Sequence, residues 1–204
     1  MDDIVKAALA KWPNVPHCYG WLALDARGNW RMRDEAAQQH DLAGDKIAHV
    51  ALLAFINRNY LHDTEGRWYF QNGPQRVYVN LAATPFIART DPVAGLVLQT
   101  GEPLQKIDGA WLTESGQLVL QEGDRIALVD DRDMPQLLAD FKLDGSTAGD
   151  DALLTWLAEP GQKDDLQFVY RASTVAVGRV DTATMAQRFG FVQRPQPDPS
   201  QQTK

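Results

Sequence analysis

Residues 63–81 read Asp63-Thr64-Glu65-Gly66-Arg67-Trp68-Tyr69-Phe70-Gln71-Asn72-Gly73-Pro74-Gln75-Arg76-Val77-Tyr78-Val79-Asn80-Leu81. The stretch holds two turn signals. Asp63 with Gly66 three places on marks a hairpin: the carboxylate caps the turn, and the glycine takes the left-handed conformation that other residues resist. Asn72-Gly73-Pro74 marks the next turn. Between and beyond them the residues follow the two-residue period of a strand. That period puts Trp68 and Phe70 on the core face. It puts Tyr69 and Tyr78 on the opposite, outer face, where Arg67 and Arg76 can join them.

The pattern recurs outward from this stretch. Thr113-Glu114-Ser115-Gly116 precedes Gln117-Leu118-Val119-Leu120-Gln121, and Asp25-Ala26-Arg27-Gly28 precedes Asn29-Trp30-Arg31-Met32-Arg33. After Gly28, Gly66 and Gly116, apolar residues follow at the second and fourth places: Trp30 and Met32, Trp68 and Phe70, Leu118 and Leu120. Gln71-Asn72-Gly73 matches Gln121-Glu122-Gly123. The next strand, from Arg76, matches the one from Arg125 with one residue lost in the turn. The expectation is two three-stranded meanders, 60–81 and 110–129, and a shorter relative, 21–33, cut off after its hairpin.

Helices are expected over 2–12, 45–60, 137–141, 152–158 and 181–189, from apolar spacing bounded by caps, prolines and glycines. Strands are expected over 93–98 and 166–170. Residues 144–150 are polar and Gly-rich and read as a loop or linker. The fold class is α+β, with repeated antiparallel β-hairpin or meander units and flanking helices. The organisation expected is an α+β region over 1–143, a smaller α+β region over 151–194 that can pack as part of the same domain, and a disordered tail over 195–204.

The 204 residues are 44% hydrophobic and 23% charged, with net charge -7 and a pI near 5.0. Affinity for nucleic acid comes mostly from neutralising phosphates, so this balance argues against a general DNA or RNA binder. It also argues against attraction to an anionic membrane. No apolar run approaches a membrane span, and the start Met1-Asp2-Asp3 is unlike a signal peptide. Cys18 is the single cysteine. It allows no internal disulfide and suits a reducing compartment, so the expected location is cytoplasmic.

Catalytic signals are weak. Phosphate loops, a nucleophile elbow, paired zinc ligands and a Ca²⁺ loop are all missing from the sequence. Neither a cofactor nor a metal is expected. His17-Cys18-Tyr19 is the densest reactive cluster. Neighbours on an extended strand point to opposite faces, so His17 does not activate Cys18; His40, His49 or His62 would have to. A small buried hydrophobe is the simpler account of Cys18. The better binding candidates are Arg67, Tyr69, Asn72, Arg76 and Tyr78.

Trp12-Pro13, Val15-Pro16, Cys18-Tyr19-Gly20-Trp21-Leu22 and 68–79 resemble a proteobacterial family of about this length, labelled only as a domain of unknown function. The resemblance implies a bacterial cytoplasmic protein and brings no activity, cofactor or catalytic residue. The expected function is therefore a non-enzymatic cytoplasmic binding or interaction protein, its partner a protein or small-molecule ligand. The alternatives are a Cys18-dependent enzyme and a small-molecule or metal sensor.

Overall fold

The computed structural model describes residues 1–159 and 165–197. The tail expected over 195–204 lies mostly outside these residues. So do Pro160 and Gly161, the expected stop of the helix over 152–158. The chain forms two compact units, one of residues 1–85 with the chain from 190 on, the other of residues 86–189. The boundary read from the sequence, between 143 and 151, falls within the second unit.

The first unit holds α1 (Asp3–Lys11), β1 (Cys18–Leu24), β2 (Trp30–Met32), α2 (Glu35–Gln39), β3 (Asp45–Lys46), α3 (Val50–Arg58), β4 (Tyr60–His62), β5 (Trp68–Asn72) and β6 (Gln75–Leu81). Its sheet runs β3-β2-β1-β6-β5-β4, antiparallel except for the β1–β6 pair. The helix expected over 45–60 starts only at Val50. His49 caps it, its Nδ1 accepting from the Leu52 amide at 3.2 Å. Asp45 and Lys46 instead pair with Met32 and Arg31, so ladder hydrogen bonds displace the first helical turn. Leu22, Leu24, Trp30, Ile56, Trp68, Phe70, Val79 and Leu81 are buried. Phe55 of α3 meets Phe70 edge-on at 5.2 Å. The Asp2 amide donates to Asn59 Oδ1 at 2.8 Å and ties the start of α1 to the end of α3.

The second unit holds β7 (Phe86–Asp91), β8 (Gly95–Leu98), β9 (Gly109–Thr113), β10 (Leu118–Glu122), β11 (Arg125–Val129), α4 (Met134–Leu137), β12 (Phe141–Leu143), β13 (Ser146–Thr147), α5 (Asp150–Ala158), β14 (Leu166–Tyr170), β15 (Ser173–Val180) and α6 (Thr182–Phe189). Its sheet runs β13-β12-β14-β15-β9-β10-β11-β7-β8, with β15–β9 and β11–β7 parallel. The stretch read as a loop over 144–150 contains β13. Asp144 and Gly145, both at positive φ, turn the chain into it. The short helix read over 137–141 begins earlier, at Met134, and gives way to β12.

Five strands recur between the units. β2-β1-β6-β5-β4 and β8-β7-β11-β10-β9 share one order and one set of directions. Tyr69 faces Tyr78 as Val119 faces Leu128, and Gln71 faces Arg76 as Gln121 faces Ile126. Even the turns agree: Gln71 Nε2 donates to the Gly73 carbonyl at 2.9 Å, and Gln121 Nε2 to the Gly123 carbonyl at 2.9 Å. Two expectations are corrected. The turn loses no residue, so Arg76 corresponds to Ile126 and not to Arg125. The hairpin over 21–33 is not a truncated meander; by pairing and position it corresponds to β7–β8, whose first strand the alternation did not reveal.

Candidate functional site

Alternation along β5 and β6 puts Arg67, Tyr69, Gln71, Arg76, Tyr78 and Asn80 on one sheet face. The sequence reading of that face holds in part. Tyr69 and Tyr78 do oppose each other across the ladder, with ring centroids 5.7 Å apart. Their face is not an outer one, because Tyr69 is 6% exposed and Tyr78 1%. Tyr19 stacks on Tyr78 at 4.6 Å and 9°, and His17 meets it edge-on at 5.7 Å. The Arg67 guanidinium lies 5.2 Å from the Tyr78 centroid and that of Arg76 4.6 Å from the Tyr69 centroid, both within cation–π range.

Asp63 organises the cluster. Its Oδ2 accepts from Arg67 Nε at 2.8 Å and from Tyr78 Oη at 3.0 Å. Its Oδ1 caps the turn, accepting from the Glu65 and Arg67 amides at 3.0 Å each. Burial pushes the Asp63 carboxyl up, but the Arg67 and Tyr78 hydrogen bonds outweigh it and hold the group below the usual carboxylate range. Arg67 is thus neutralised, with Glu65 adding a contact at 3.3 Å from the exposed rim. Arg76 lies beside Tyr69 and Tyr78 and feels the Asp63 charge, but no carboxylate among the described residues comes within ion-pair distance of it.

His17 stands beside this cation. Burial first, then the charges of Arg76 and Arg67, push its pKa below the ordinary imidazole value. The ring is therefore neutral at pH 7, and its Nδ1 is buried without a hydrogen-bond partner among the described residues. An NMR titration is expected to place the His17 midpoint below that of a free histidine. Arg76→Gln removes a repelling charge and should move it upward; an unmoved midpoint would show that Arg76 does not reach the imidazole.

Two other predicted candidates lie across the sheet. Cys18 and Asn72 line an apolar cleft of about 210 Å³ with Trp21, Met32, Leu52 and Phe70. His17 and Cys18 point to opposite faces, as strand geometry requires, and among the described residues no histidine hydrogen-bonds Cys18. His49 caps α3, and His62 packs on Trp68 at 4.8 Å. No group of three or more His, Cys, Asp or Glu among the described residues is placed to hold a metal. Sequence reasoning missed Asp63 as the shared acceptor and Tyr19 as the ring on Tyr78. The turn signal at Asp63 was in view, but its second oxygen's role depends on the register that brings Tyr78 beside it.

Among the described residues no helix is long and apolar enough to cross a membrane. No curated protein matches the sequence. A crystal structure of a DUF1285 family protein from Silicibacter pomeroyi DSS-3 is similar in fold, with TM-score 0.53 and 13% identity over 88% of this chain and 97% of that one. A family model, DUF2944, described as "Protein of unknown function (DUF2946)", matches residues 1–196. With nearly its whole length matched, the chain belongs to that family of proteins of unknown function.

Proposed function

We propose that this chain is a non-enzymatic binding protein, and that its first unit receives the anionic group of a small ligand at Arg76, beside His17. The carrying observation is a half-buried guanidinium with no carboxylate partner among the described residues. Asp63 acts on this cation only from beyond ion-pair distance; a guanidinium held partly out of water with no carboxylate in direct contact is costly, and an oxyanion would offset that cost through charge-assisted hydrogen bonds. The second unit serves as an internal control. Val119, Ile126 and Leu128 stand where Tyr69, Arg76 and Tyr78 stand, so this strand pair packs well with apolar residues alone. The fold itself does not call for the polar set. The single cysteine, which allows no internal disulfide, supports a reducing, cytoplasmic setting.

Inorganic phosphate is the first probe, added to the full chain while the His17 ring resonances are followed. A saturable upward move of the His17 midpoint is expected, because an anion at Arg76 cancels a charge that, after burial, helps hold it down. Arg76→Gln should weaken the response about tenfold or more, the loss of one charge-assisted bond. No saturable response in the wild-type chain would defeat the reading.

A further inference from the structure

The repeat also exposes a second site on the first unit. In the second unit, Asp130 follows β11 and is buried. Its Oδ1 accepts from Arg132 Nε at 2.9 Å, and its Oδ2 lies 3.3 Å from Arg89 Nε. Register identifies the counterparts. Val129 pairs with Ala88 as Val79 pairs with Leu22, so Asp130 corresponds to Asn80, Arg89 to Ala23 and Arg132 to Ala82. Two long arginines are thus matched by alanines, and the carboxylate by a neutral amide of the same size. Where they would sit, Ala23, Asn80 and Ala82 line an open cleft of about 230 Å³ at the ends of the parallel strands β1 and β6.

Arginines ring that cleft from other positions: Arg31 and Arg33 from β2 and just beyond it, and Arg194 from the chain that follows residue 190. Buried Arg33 is fixed by bonds to the Leu42 carbonyl at 2.9 Å, the Ala37 carbonyl at 3.1 Å and Asp41 Oδ1 at 3.1 Å. Arg31 Nε bonds Asp25 Oδ2 at 2.8 Å, and Arg194 Nη2 bonds Asp41 Oδ2 at 2.9 Å. Asp25 is further committed to the amides of its own turn. Two carboxylates therefore face three guanidiniums, leaving one positive charge in excess. Arg31 bonds through Nε and Nη1 and Arg33 through Nε and Nη2, so Arg31 Nη2, Arg33 Nη1 and the Asn80 side-chain amide are left without a hydrogen-bond partner among the described residues.

We propose that this cleft binds the carboxylate of a small organic acid, which supplies from beside Asn80 the negative charge that Asp130 carries in the second unit. The inference does not rest on the Arg76 reading, since it uses different residues. A carboxylate matches the site in charge and in planar geometry: it can accept from two guanidiniums and from the Asn80 amide at once. The volume, about 230 Å³, admits an acid of a few heavy atoms.

Acetate is the probe, titrated into the full chain at constant ionic strength and neutral pH, with the Arg31 and Arg33 Nε–H resonances, present in every variant below, followed by NMR. A saturable shift is expected. Asn80→Asp, isosteric and carrying its own carboxylate, should abolish the acetate response and raise the melting temperature without ligand. Arg194→Ala removes an exposed side chain and should weaken acetate binding about tenfold. Three results would each overturn the proposal: no saturable shift in the wild-type chain, an acetate response that survives in Asn80→Asp, or equal responses to acetate and chloride. Tighter binding of inorganic phosphate than of acetate would overturn the assignment to a carboxylate. Because His17 and Arg76 take no part, failure here leaves the phosphate titration at His17 to stand or fall alone.

Discussion

Gly66→Ala is expected to destabilise the first unit by roughly 3 kcal/mol or more, while Gly116→Ala costs the second about 1 kcal/mol. Both glycines close the same turn of the repeat, at φ +74 and +80. Each donates its amide back to the first turn residue, to the Asp63 carbonyl at 3.1 Å or the Thr113 carbonyl at 2.9 Å. A Cβ at either site meets the left-handed penalty, roughly 1 kcal/mol. The surroundings then differ. A Cβ on Gly66 would fall far inside contact of the Gly190 carbonyl oxygen and lie 3.2 Å from Phe191 Cα. That neighbour is backbone, and it is fastened: the Val192 amide donates to the Gly66 carbonyl at 3.0 Å and the Leu81 amide to the Gln193 carbonyl at 2.8 Å. At Gly116 the Cβ would meet only a Leu157 methyl at 3.4 Å, which can turn aside. Denaturant unfolding, with hydrogen exchange at the β5–β6 and β10–β11 amides to assign each loss to its unit, measures the pair. Equal losses would mean that the chain at 190–193 yields freely.

The hairpins were legible because their chemistry is local. Asp25, Asp63 and Thr113 cap their turns through side-chain oxygens within four residues, and a local signal survives in any context. The pairing of β1 with β6 and of β7 with β11 was not legible, since parallel partners far apart in the chain leave no short-range mark. That is why the hairpin over 21–33 was set beside the wrong part of the repeat. β7 and β15 escaped for a related reason. Phe86-Ile87-Ala88 is too short a run to show a period, and β15 alternates small residues whose burial depends on neighbours from β9 and β14. Matching Arg76 to Arg125 followed residue identity; register, set by turn length, overrode it.

The candidate site divides the same way. That Tyr69 and Tyr78 share a face with Arg67 and Arg76 follows from period two alone. Their burial does not, because it depends on Tyr19 and His17 arriving from β1 and the segment before it. Of the arginine cleft only the alternation is local, that of Arg31 on β2 with Arg33 just beyond it and of Arg76, Tyr78 and Asn80 on β6. Nothing local announced Arg194, which reaches Asp41 across most of the chain. Nor does an alanine announce a cleft; Ala23 and Ala82 acquire meaning only beside Arg89 and Arg132.

Asp130→Asn is expected to cost the second unit about 2–3 kcal/mol, toward the lower end of what breaking a buried ion pair costs. The carboxylate is 1% exposed and accepts from Arg132 through Nε at 2.9 Å, Nη2 at 2.5 Å and the backbone amide at 3.2 Å, with Arg89 Nε at 3.3 Å. An amide would turn donor toward donor at one of these contacts. The loss stays below the full figure because the Arg132 and Arg89 side chains, 56% and 43% exposed, can recover water. The pH dependence has a definite sign. The hydrogen bonds from Arg132 hold the Asp130 carboxyl well below the usual carboxylate range. A folded-state value below the unfolded one gives stability that is complete above about pH 4 and is lost as pH falls through the folded value. The gap in unfolding free energy between the wild-type chain and Asp130→Asn should therefore hold constant from neutral pH down to about pH 4 and then narrow. A variant as stable as the wild type at neutral pH would mean that solvent already satisfies both guanidiniums. Asn80 shows why the first unit carries an amide at the same position without penalty. Its flanking counterparts are Ala23 and Ala82, so no arginine on those strands is left unpaired there, and the charge that Asp130 supplies from within is left to be supplied from outside.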